Sequence, residues 1–398
     1  MFTAASLAAA RRRTPRRSSP RGRCRGVGAA LAAPAALALI MTLFAPGPER
    51  NRALGLFGAV AGAGGAAGAI LGGLLTDWFG WEAVLYVNVP IGLAAIALAP
   101  VLLPEARDER VRGFDLTGAA AVTGGLALLV YTLVDGNEAG WTSARTLGLG
   151  AGAVAALAAF AAVEARVRHP LVQLGIFRNR SLTGGNVAAV LMTMAIFPMF
   201  YVMTLYLQQV KGYEPVKAGV AQLPVAIAIG VGSAIGSRLI TRFGPRVPVG
   251  AALAVAACGL AWFSRMSVTG HYAAEVLAPA VVMGLGTGVV FVGTAIAATA
   301  GASADESGLA SGLINTAQQV GGALGLALVV AVSAHVTEGA LADGERVLGI
   351  ALNEGFRAGM LTAAGVALVA AAGALALIPG RTPTRPRPRM RKVCPRRR

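Results

Sequence analysis

Charged side chains are scarce in this chain. Asp, Glu, Lys and Arg make up 13% of its 398 residues, against about 25% in a typical soluble domain. Hydrophobic residues make up 56%, and the mean hydropathy is +0.66. This composition excludes a soluble globular protein and indicates an integral membrane protein.

Cysteine and histidine are also rare, with three residues of each. Cys24 and Cys394 lie near the two ends and Cys258 lies in an apolar segment, so the spacing offers no disulfide framework and no metal-ligand motif. The three histidines fall between apolar segments, at His169, His271 and His335. We therefore expect neither a metal nor a cofactor.

The net charge of +17 comes from the two ends of the chain. Residues 1–25 hold eight Arg, residues 379–398 hold nine Arg or Lys, and neither stretch contains an acid. The remaining body has 18 basic and 18 acidic residues. We interpret residues 1–26 and 379–398 as basic disordered tails that contact anionic lipid rather than nucleic acid.

Eleven apolar stretches are long enough to be membrane-spanning helices, which need about 20 residues each. They are about 27–45, 53–76, 83–103, 115–134, 146–163, 182–207, 216–241, 247–267, 273–299, 308–334 and 355–378. The first stretch follows a basic region and could instead be a secretory signal, although it is longer than a usual signal core and leads directly into another helix. The fold class is therefore an all-α helical bundle in a membrane.

Arginine in the short loops predicts the orientation, because cytoplasmic loops are enriched in basic residues. If the second stretch begins on the cytoplasmic side, the cytoplasmic loops contain twelve arginines and the outer loops contain six basic residues. The C-terminal tail is then cytoplasmic. The eight arginines of the N-terminal tail fall outside, against the same rule, so we expect that the start of this chain is not a natural beginning.

Small residues form rows along the second stretch. Gly58, Gly62 and Gly65 follow helical spacing, and an overlapping row repeats every fourth residue at Gly64, Gly68 and Gly72. No charged side chain lies between Leu54 and Thr76. Such small-xxx-small rows allow two helix backbones to approach closely in a bilayer.

Five motifs, in order along the chain, carry a resemblance to a known family. They are PGPERNRALG at 46–55, GAGGAAGAILGG with the following DWFGWEAVLYVNVPIG at 62–92, HPLVQLGIFRNRSL at 169–182, GSRLITRFGPR at 236–246 and SGLINTAQQVGGALG at 311–325. Together they resemble the fourteen-helix drug:proton antiporter branch of the major facilitator superfamily over residues 26 to 380. The second motif resembles the family's antiporter motif, Gly-Pro-x-x-Gly-Gly, and implies a motif helix containing Gly58, Gly62, Gly64, Gly68, Gly72 and Gly73. Ala69 stands at the Pro position, so the kink typical of the family is in doubt there.

The resemblance implies a major facilitator-type bundle whose N-terminal half is incomplete. The eleven stretches are similar to helices four to fourteen of the family, and the first three helices, with their membrane-embedded Asp, have no counterpart. Residues 27–103 would be a three-helix remnant of the N-terminal half, 104–181 the additional central pair with a cytoplasmic loop, and 182–378 a complete C-terminal half. The simplest hypothesis is a truncated or mis-started reading frame.

The motif at 236–246 resembles a second copy of the family's loop between helices two and three. The candidate gating residues are Gly236, Arg238, Arg242, Gly244 and Arg246. At the inner surface the guanidinium groups could bond helix-end carbonyls or acids of a neighbouring helix and hold one conformation closed. Anchoring of the loop on the cytoplasmic side is the alternative.

A substrate pathway should be lined by polar or adaptable side chains that face the interior of the bundle. The stretch 182–207 is the richest candidate, since four of the ten methionines lie in it. Its candidate pathway residues are Asn186, Thr193, Phe197, Phe200 and Tyr201. Thioethers and aromatic faces suit lipophilic cations of varied shape, although Met and Phe can equally face lipid.

The last candidates are three amides in the motif at 311–325. Asn315, Gln318 and Gln319 are three and four residues apart, on one face of an otherwise apolar helix. An amide in hydrocarbon needs a partner, so this face should contact substrate or another helix.

The leading functional prediction is a secondary transporter of the plasma membrane, by resemblance a proton-coupled exporter of drugs or other lipophilic compounds. No acidic residue lies in the middle of an apolar stretch, so the coupling carboxylate is expected in the part that is missing; Asp77, Asp135 and Glu275 lie near the outer ends. A non-transporting remnant and a membrane-embedded transferase are the alternatives, but no catalytic constellation supports an enzyme. The expected partners are the bilayer and a small lipophilic substrate, without nucleic acid, and the chain is expected to be a monomer with the proton as its coupling ion.

Overall fold

The computed structural model describes residues 34–45, 47–80, 82–102, 116–167, 172, 174–300 and 306–380, so residues 1–26 and 381–398 of the two basic tails lie outside these ranges. The principal helices are α1 (Pro34–Leu43), α2 (Pro48–Phe79), α3 (Asn88–Leu102), α4 (Leu116–Ala139), α5 (Ala144–Glu164), α6 (Arg180–Leu205), α7 (Leu223–Phe243), α8 (Arg246–Phe263), α9 (Ala278–Thr299), α10 (Ser307–Ala342) and α11 (Leu348–Leu377). Each of the eleven predicted stretches therefore overlaps one of these helices.

Short helical elements extend or precede several of these helices. A single turn, Ala83–Tyr86, leads into α3, and a short helix, Pro215–Ala221, leads into α7. A 3-10 helix, Leu174–Arg178, precedes α6, and π-helical turns at Tyr206–Val210 and Ala273–Leu277 end α6 and begin α9. Within the described residues, nine helical spans are long and apolar enough to cross a membrane. Helix α2 adds 32 residues of continuous helix, without interruption at Ala69.

Helices α6 to α11 form the most densely packed part of the molecule. Helix α9 packs against α6, α7 and α8, while α11 packs against α6, α8 and α10. Glycines make these approaches possible because a side chain there would collide with the neighbouring backbone. A Cβ atom on Gly288 would strike the carbonyl oxygen of Ile229 in α7, and one on Gly185 would strike Ala298 in α9. The predicted C-terminal half is thus a bundle held by backbone proximity.

The glycine rows of α2 divide between two environments. A Cβ atom on Gly55 or Gly58 would lie 2.9 or 2.8 Å from a serine side-chain atom of α7, and one on Gly62 would lie 3.1 Å from a carbonyl oxygen of the same helix. In contrast, Gly64 and Gly68 are exposed and have no atom within 4 Å of a Cβ position. Gly55, Gly58 and Gly62 therefore join α2 to α7, whereas Gly64, Gly65 and Gly68 face open space.

Helices α3, α4 and α5 pack far less than the C-terminal bundle. None of the residues Ala83–Val101 is buried. Helices α4 and α5 form a hairpin that contacts the bundle through α4 and α10. A salt bridge of 2.9 Å between Arg145 and Asp135 joins the two helices next to the turn that connects them.

Polar contacts fix the loop between α8 and α9. The carboxylate of Glu275 accepts hydrogen bonds from the backbone N–H of Ser267 at 2.9 Å and from its hydroxyl at 2.8 Å. The Tyr206 hydroxyl donates to the Ser267 carbonyl at 2.8 Å. Lys211, at the same end of α6, donates to the carbonyl of Gly270, and Arg357 of α11 donates to that of Ser264. Glu275 therefore has a structural role in this conformation.

Candidate functional site: a central apolar cavity

A cavity of about 400 Å³ lies between α2, α6, α7, α9 and α10. Its wall is almost entirely apolar, and no charged side chain is among its described lining residues. The lining residues are Gly58, Ala61, Gly62, Gly65, Met192, Thr193, Ile196, Phe197, Phe200, Gln222, Ala226, Ile229, Thr287, Phe291 and Gln318. The volume is within the usual range for small-molecule pockets.

Helix α6 forms one wall of the cavity, and α10 packs closely against it. A Cβ atom on Gly321 would meet the carbonyl of Val190, and one on Gly325 would meet that of Met194. Gly322 lies under the Phe197 ring, whose Cδ1 atom would be 3.2 Å from a Cβ at that position. The glycines of the motif at 311–325 therefore position the aromatic wall of the cavity.

Three phenylalanines and a methionine give the cavity its chemical character. Phe197 and Phe200 come from α6 and Phe291 from α9. The Phe291 ring stacks on Phe57, with centroids 6.4 Å apart and an interplanar angle of 25°. Met192 is buried beside them. Aromatic faces and a flexible thioether attract lipophilic molecules and cations without fixing a single shape.

Few polar groups face the cavity, and two of them are already satisfied locally. The Thr193 hydroxyl donates to the carbonyl of Ala189 at 2.9 Å, and the Thr287 hydroxyl to that of Met283 at 2.8 Å. The amide of Gln222 donates to the Thr204 hydroxyl at 3.2 Å. Gln318 brings a second amide into the lining. The cavity therefore offers amide groups that can orient a bound molecule and aromatic rings that can attract it.

The structure brings together four of the eight predicted pathway residues. Thr193, Phe197, Phe200 and Gln318 all line the cavity. The other four, which do not line it, are Asn186, Tyr201, Asn315 and Gln319.

Each of those four has a different environment from the one expected. Asn186 is buried and donates to the carbonyl of Leu182 one turn earlier, which leaves its Oδ1 atom without a hydrogen-bond partner. Tyr201 lines a separate pocket of about 270 Å³ between α6, α10 and α11. Asn315 is half-buried and Gln319 is exposed. Their pathway role remains a prediction.

Three lining residues with polar or aromatic side chains, Gln222, Thr287 and Phe291, are not among the predicted pathway residues. Gln222 is an amide at the start of an apolar helix, and Thr287 lies within the glycine-rich run GLGTG. A polar residue among small residues in a spanning helix is a signal that could have found Thr287. Phe291 carries no such signal, since a phenylalanine in an apolar helix faces lipid as often as a cavity. Of the four methionines of α6, Met199 and Met203 lie in the protein core instead.

The motif helix α2 contributes part of its predicted glycine set to the cavity. Gly58 and Gly62 line it, and Gly73 packs against Val216, since a Cβ atom at Gly73 would lie 3.1 Å from the Val216 Cα atom. Gly64, Gly68 and Gly72 have no neighbour within 4 Å of a Cβ position. The side chain of Ala69 is outside the described set. The six motif glycines thus do not share one role.

The motif at 236–246, which was expected to be a loop, comprises the C-terminal end of α7, the turn at Gly244 and Pro245, and the first residue of α8. It also contacts α9 and α11. Gly236 allows α9 to approach, since a Cβ there would lie 2.8 Å from Val289 Cα. Gly244 has a φ of 78°, which ends α7 in a turn that favours glycine. The Arg246 guanidinium donates through Nε to the carbonyl of Leu375, at the C-terminal end of α11, over 2.7 Å. Arg238 and Arg242 are exposed and line a separate cleft beside α2. A gating role for the loop remains a prediction.

The predicted outer carboxylates lie apart from the cavity. Asp77 is exposed near the end of α2, Asp135 pairs with Arg145, and Glu275 bonds Ser267. No group of His, Cys, Asp and Glu in the described ranges could hold a metal ion. The arrangement is that of a binding cavity for an apolar molecule.

Comparison with known proteins gives a consistent result. Residues 24–326 match the family model described as Major Facilitator Superfamily. The chain is 39% identical over 363 residues to the puromycin resistance protein pur8 of Streptomyces alboniger, which covers 90% of this chain and 72% of that protein. It is 39% identical over 305 residues to the tetracenomycin C resistance and export protein of Streptomyces glaucescens, with 76% and 56% covered. The cephamycin export protein CmcT of Amycolatopsis lactamdurans is 38% identical over 337 residues, with 82% and 69% covered. The chain therefore spans 56% to 72% of the length of these three relatives.

Proposed function

Because this chain belongs to the major facilitator superfamily, we propose that it is a secondary transporter that exports drugs or other lipophilic compounds. Its relatives are drug resistance and export proteins by name, which indicates transport rather than catalysis. In this proposal the substrate occupies the central cavity, and the two sides of the cavity rock around it to give alternating access. The substrate class is an uncharged or cationic amphiphile.

The composition of the cavity wall is the observation that carries this proposal. Three aromatic rings and Met192 surround a volume of about 400 Å³, and the described lining contains no carboxylate or cationic side chain. A strongly anionic substrate would have no partner for its charge in such a wall. An amphiphile gains dispersion contacts with the rings, and a cation gains attraction to their faces.

Transport of a probe by the purified chain tests this function. The chain would be reconstituted in vesicles with a pH gradient, and uptake of the lipophilic cation ethidium would be followed by fluorescence. We expect uptake that depends on the protein and stops when nigericin collapses the pH gradient, because the proton is the proposed coupling ion. If uptake depends only on the membrane potential, the result would contradict proton coupling but would still support transport by the chain.

Two phenylalanine variants test whether transport uses the cavity. We expect Phe200→Leu to slow ethidium uptake by about twofold to tenfold, since aromatic contacts contribute about 0.5–1.5 kcal/mol. Phe79→Leu is the matched control, because that ring is 70% exposed at the end of α2, and its rate should stay within about twofold. Equal losses of ethidium uptake in the two variants would show that the cavity is not part of the transport pathway.

The alternative is a non-transporting membrane protein that regulates or accompanies a transporter. The open environment of α3 favours it, because no residue of Ala83–Val101 is buried by another described element. Vesicles that bind ethidium at the cavity but show no gradient-dependent uptake would support this alternative.

We further propose a multi-pass protein of the plasma membrane that acts as a monomer, with a cytoplasmic C-terminus and no organic cofactor. The cysteines of the two tails offer a test of orientation. An impermeant maleimide applied to intact cells should label Cys24 and leave Cys394 unlabelled until the cells are opened. Labelling of Cys394 in intact cells would reverse the proposed orientation.

A further inference from the structure

A second, larger opening lies between the N-terminal end of α2 and the C-terminal end of α7. Its volume is about 1070 Å³, and it shares no lining residue with the central cavity. We name it the arginine cleft after Arg52, Arg238 and Arg242, which line it together with Glu49. The abundance of arginine in the neighbouring loops places this end of the molecule at the inner membrane surface.

The charge of the cleft favours an anion. Three guanidinium groups and one carboxylate line it, and no other charged side chain is among its described lining residues. Arg238 and Arg242 are one turn apart on α7, while Arg52 comes from α2 on the opposite side. Guanidinium groups bind phosphate oxygens in a fork geometry, and basic pockets between spanning helices are suited to lipid head groups. The Thr241 hydroxyl, which accepts from the Asn51 amide at 3.0 Å, adds a polar group to the same wall.

The cleft continues into an apolar surface toward the middle of the membrane. Leu56 and Ala234 lie in its lining, next to the arginines. Helices α2 and α7 are antiparallel here, so the next turns away from the arginines carry higher numbers on α2 and lower numbers on α7. These turns present Val60, at 62% exposed, and Ile235 and Val231, at 43% and 48% exposed. A charged end and an apolar continuation therefore follow one another along the seam of the two helices.

We propose that the arginine cleft binds an anionic phospholipid. The phosphate and an anionic head group would contact the arginines, and an acyl chain would lie on Leu56, Val60 and Val231. A zwitterionic phospholipid would carry its own cation against the same arginines, so its binding is disfavoured. This lipid site does not depend on the proposed transport activity.

Native mass spectrometry of the purified chain tests the proposal. The protein would be mixed with equal amounts of dioleoyl phosphatidylglycerol and dioleoyl phosphatidylcholine, and the bound lipids counted. We expect one phosphatidylglycerol to be retained in preference to phosphatidylcholine. Arg52→Gln with Arg238→Gln should lower that bound fraction by about tenfold or more, since each basic residue near a lipid surface contributes measurably to anionic lipid binding.

A matched control removes the same charge elsewhere. Arg166→Gln with Arg178→Gln changes two exposed arginines of the loop between α5 and α6, and its bound fraction should stay within about twofold of the unchanged protein. Equal retention of the two lipids, or an equal loss in the two double variants, would overturn the proposal.

A further variant separates a lipid from a free phosphate ester and does not depend on the arginine variants folding. Ala234→Trp fills the apolar side of the cleft from an exposed position while keeping all three arginines. We expect this variant to retain less phosphatidylglycerol than the unchanged protein. In the unchanged protein, an excess of glycerol 1-phosphate should fail to displace phosphatidylglycerol. Unchanged lipid binding by Ala234→Trp, or displacement by glycerol 1-phosphate, would identify a site for phosphate alone and contradict a lipid site.

Discussion

Two helical spans of nearly equal hydropathy have opposite environments in this molecule. The span Ala273–Thr299, which contains α9, has a mean hydropathy of 2.1, and 67% of its most apolar window is buried. The span Ala83–Val101, which contains α3, has a mean hydropathy of 2.0, and none of its window is buried. Hydropathy therefore identifies both as membrane helices and does not distinguish a central helix from a peripheral one.

Glycine spacing accounts for part of the difference. Helix α9 has Gly284, Gly286 and Gly288 directly against backbone atoms of α7 and α8. Helix α3 has one glycine in 15 residues, and leucine and isoleucine cover its surface. In lipid, apolar side chains gain little from leaving the bilayer, so close backbone contact decides which helices associate.

Truncation of a leucine in each region should give the largest contrast. Leu253→Ala removes a fully buried side chain of α8, and we expect a loss of about 2–5 kcal/mol because a cavity is left among packed helices. Leu93→Ala in α3 removes a side chain that is 58% exposed and should change stability by less than about 0.5 kcal/mol. Thermal unfolding of the two purified variants measures both. A large loss from Leu93→Ala would mean that α3 has a partner beyond the described contacts.

Addition of one methyl group tests the role of glycine directly. Gly288→Ala places a Cβ against the carbonyl of Ile229, and we expect a destabilisation of about 1–3 kcal/mol because α7 and α9 must separate. Gly64→Ala makes the same change where no atom lies within 4 Å, so it should be neutral or stabilise the protein by up to about 1 kcal/mol. If both variants unfold at the same temperature as the parent, backbone proximity does not hold the bundle.

The salt bridge of the α4–α5 hairpin should have the smallest effect. Arg145 is 60% exposed at the side chain and bonds both Asp135 and the Tyr131 hydroxyl, at 2.9 and 2.8 Å. We expect Arg145→Gln to lower stability by about 0.5 kcal/mol, since solvent screens an exposed pair. A double-mutant cycle with Asp135→Asn isolates the pair. A coupling several times larger would show that this end of the hairpin is shielded from water.

The eleven segments could be predicted because bilayer thickness sets a length and a composition that any spanning helix must satisfy. The cavity could be predicted only in part. Phe200 was found because it lies in the methionine-rich stretch 182–207, and Gln318 because an amide in hydrocarbon needs a polar partner. The amide criterion also fits Asn186, which bonds its own helix instead. Phe291 was not found, since a phenylalanine facing a cavity and one facing lipid have the same local sequence.

The glycine-rich helix α2 shows where sequence information ends. Its sequence determined a long helix that is uncharged from Leu54 to Thr76 and has two rows of small residues, because bilayer hydrocarbon requires a self-bonded backbone and small residues permit contact. Only the tertiary structure decided that Gly55, Gly58 and Gly62 meet other helices while Gly64 and Gly68 remain open. The reason is physical: a row of small residues permits close approach on any face, and the neighbour that uses it is selected by residues more than 150 positions away, as the Asn51 to Thr241 bond illustrates.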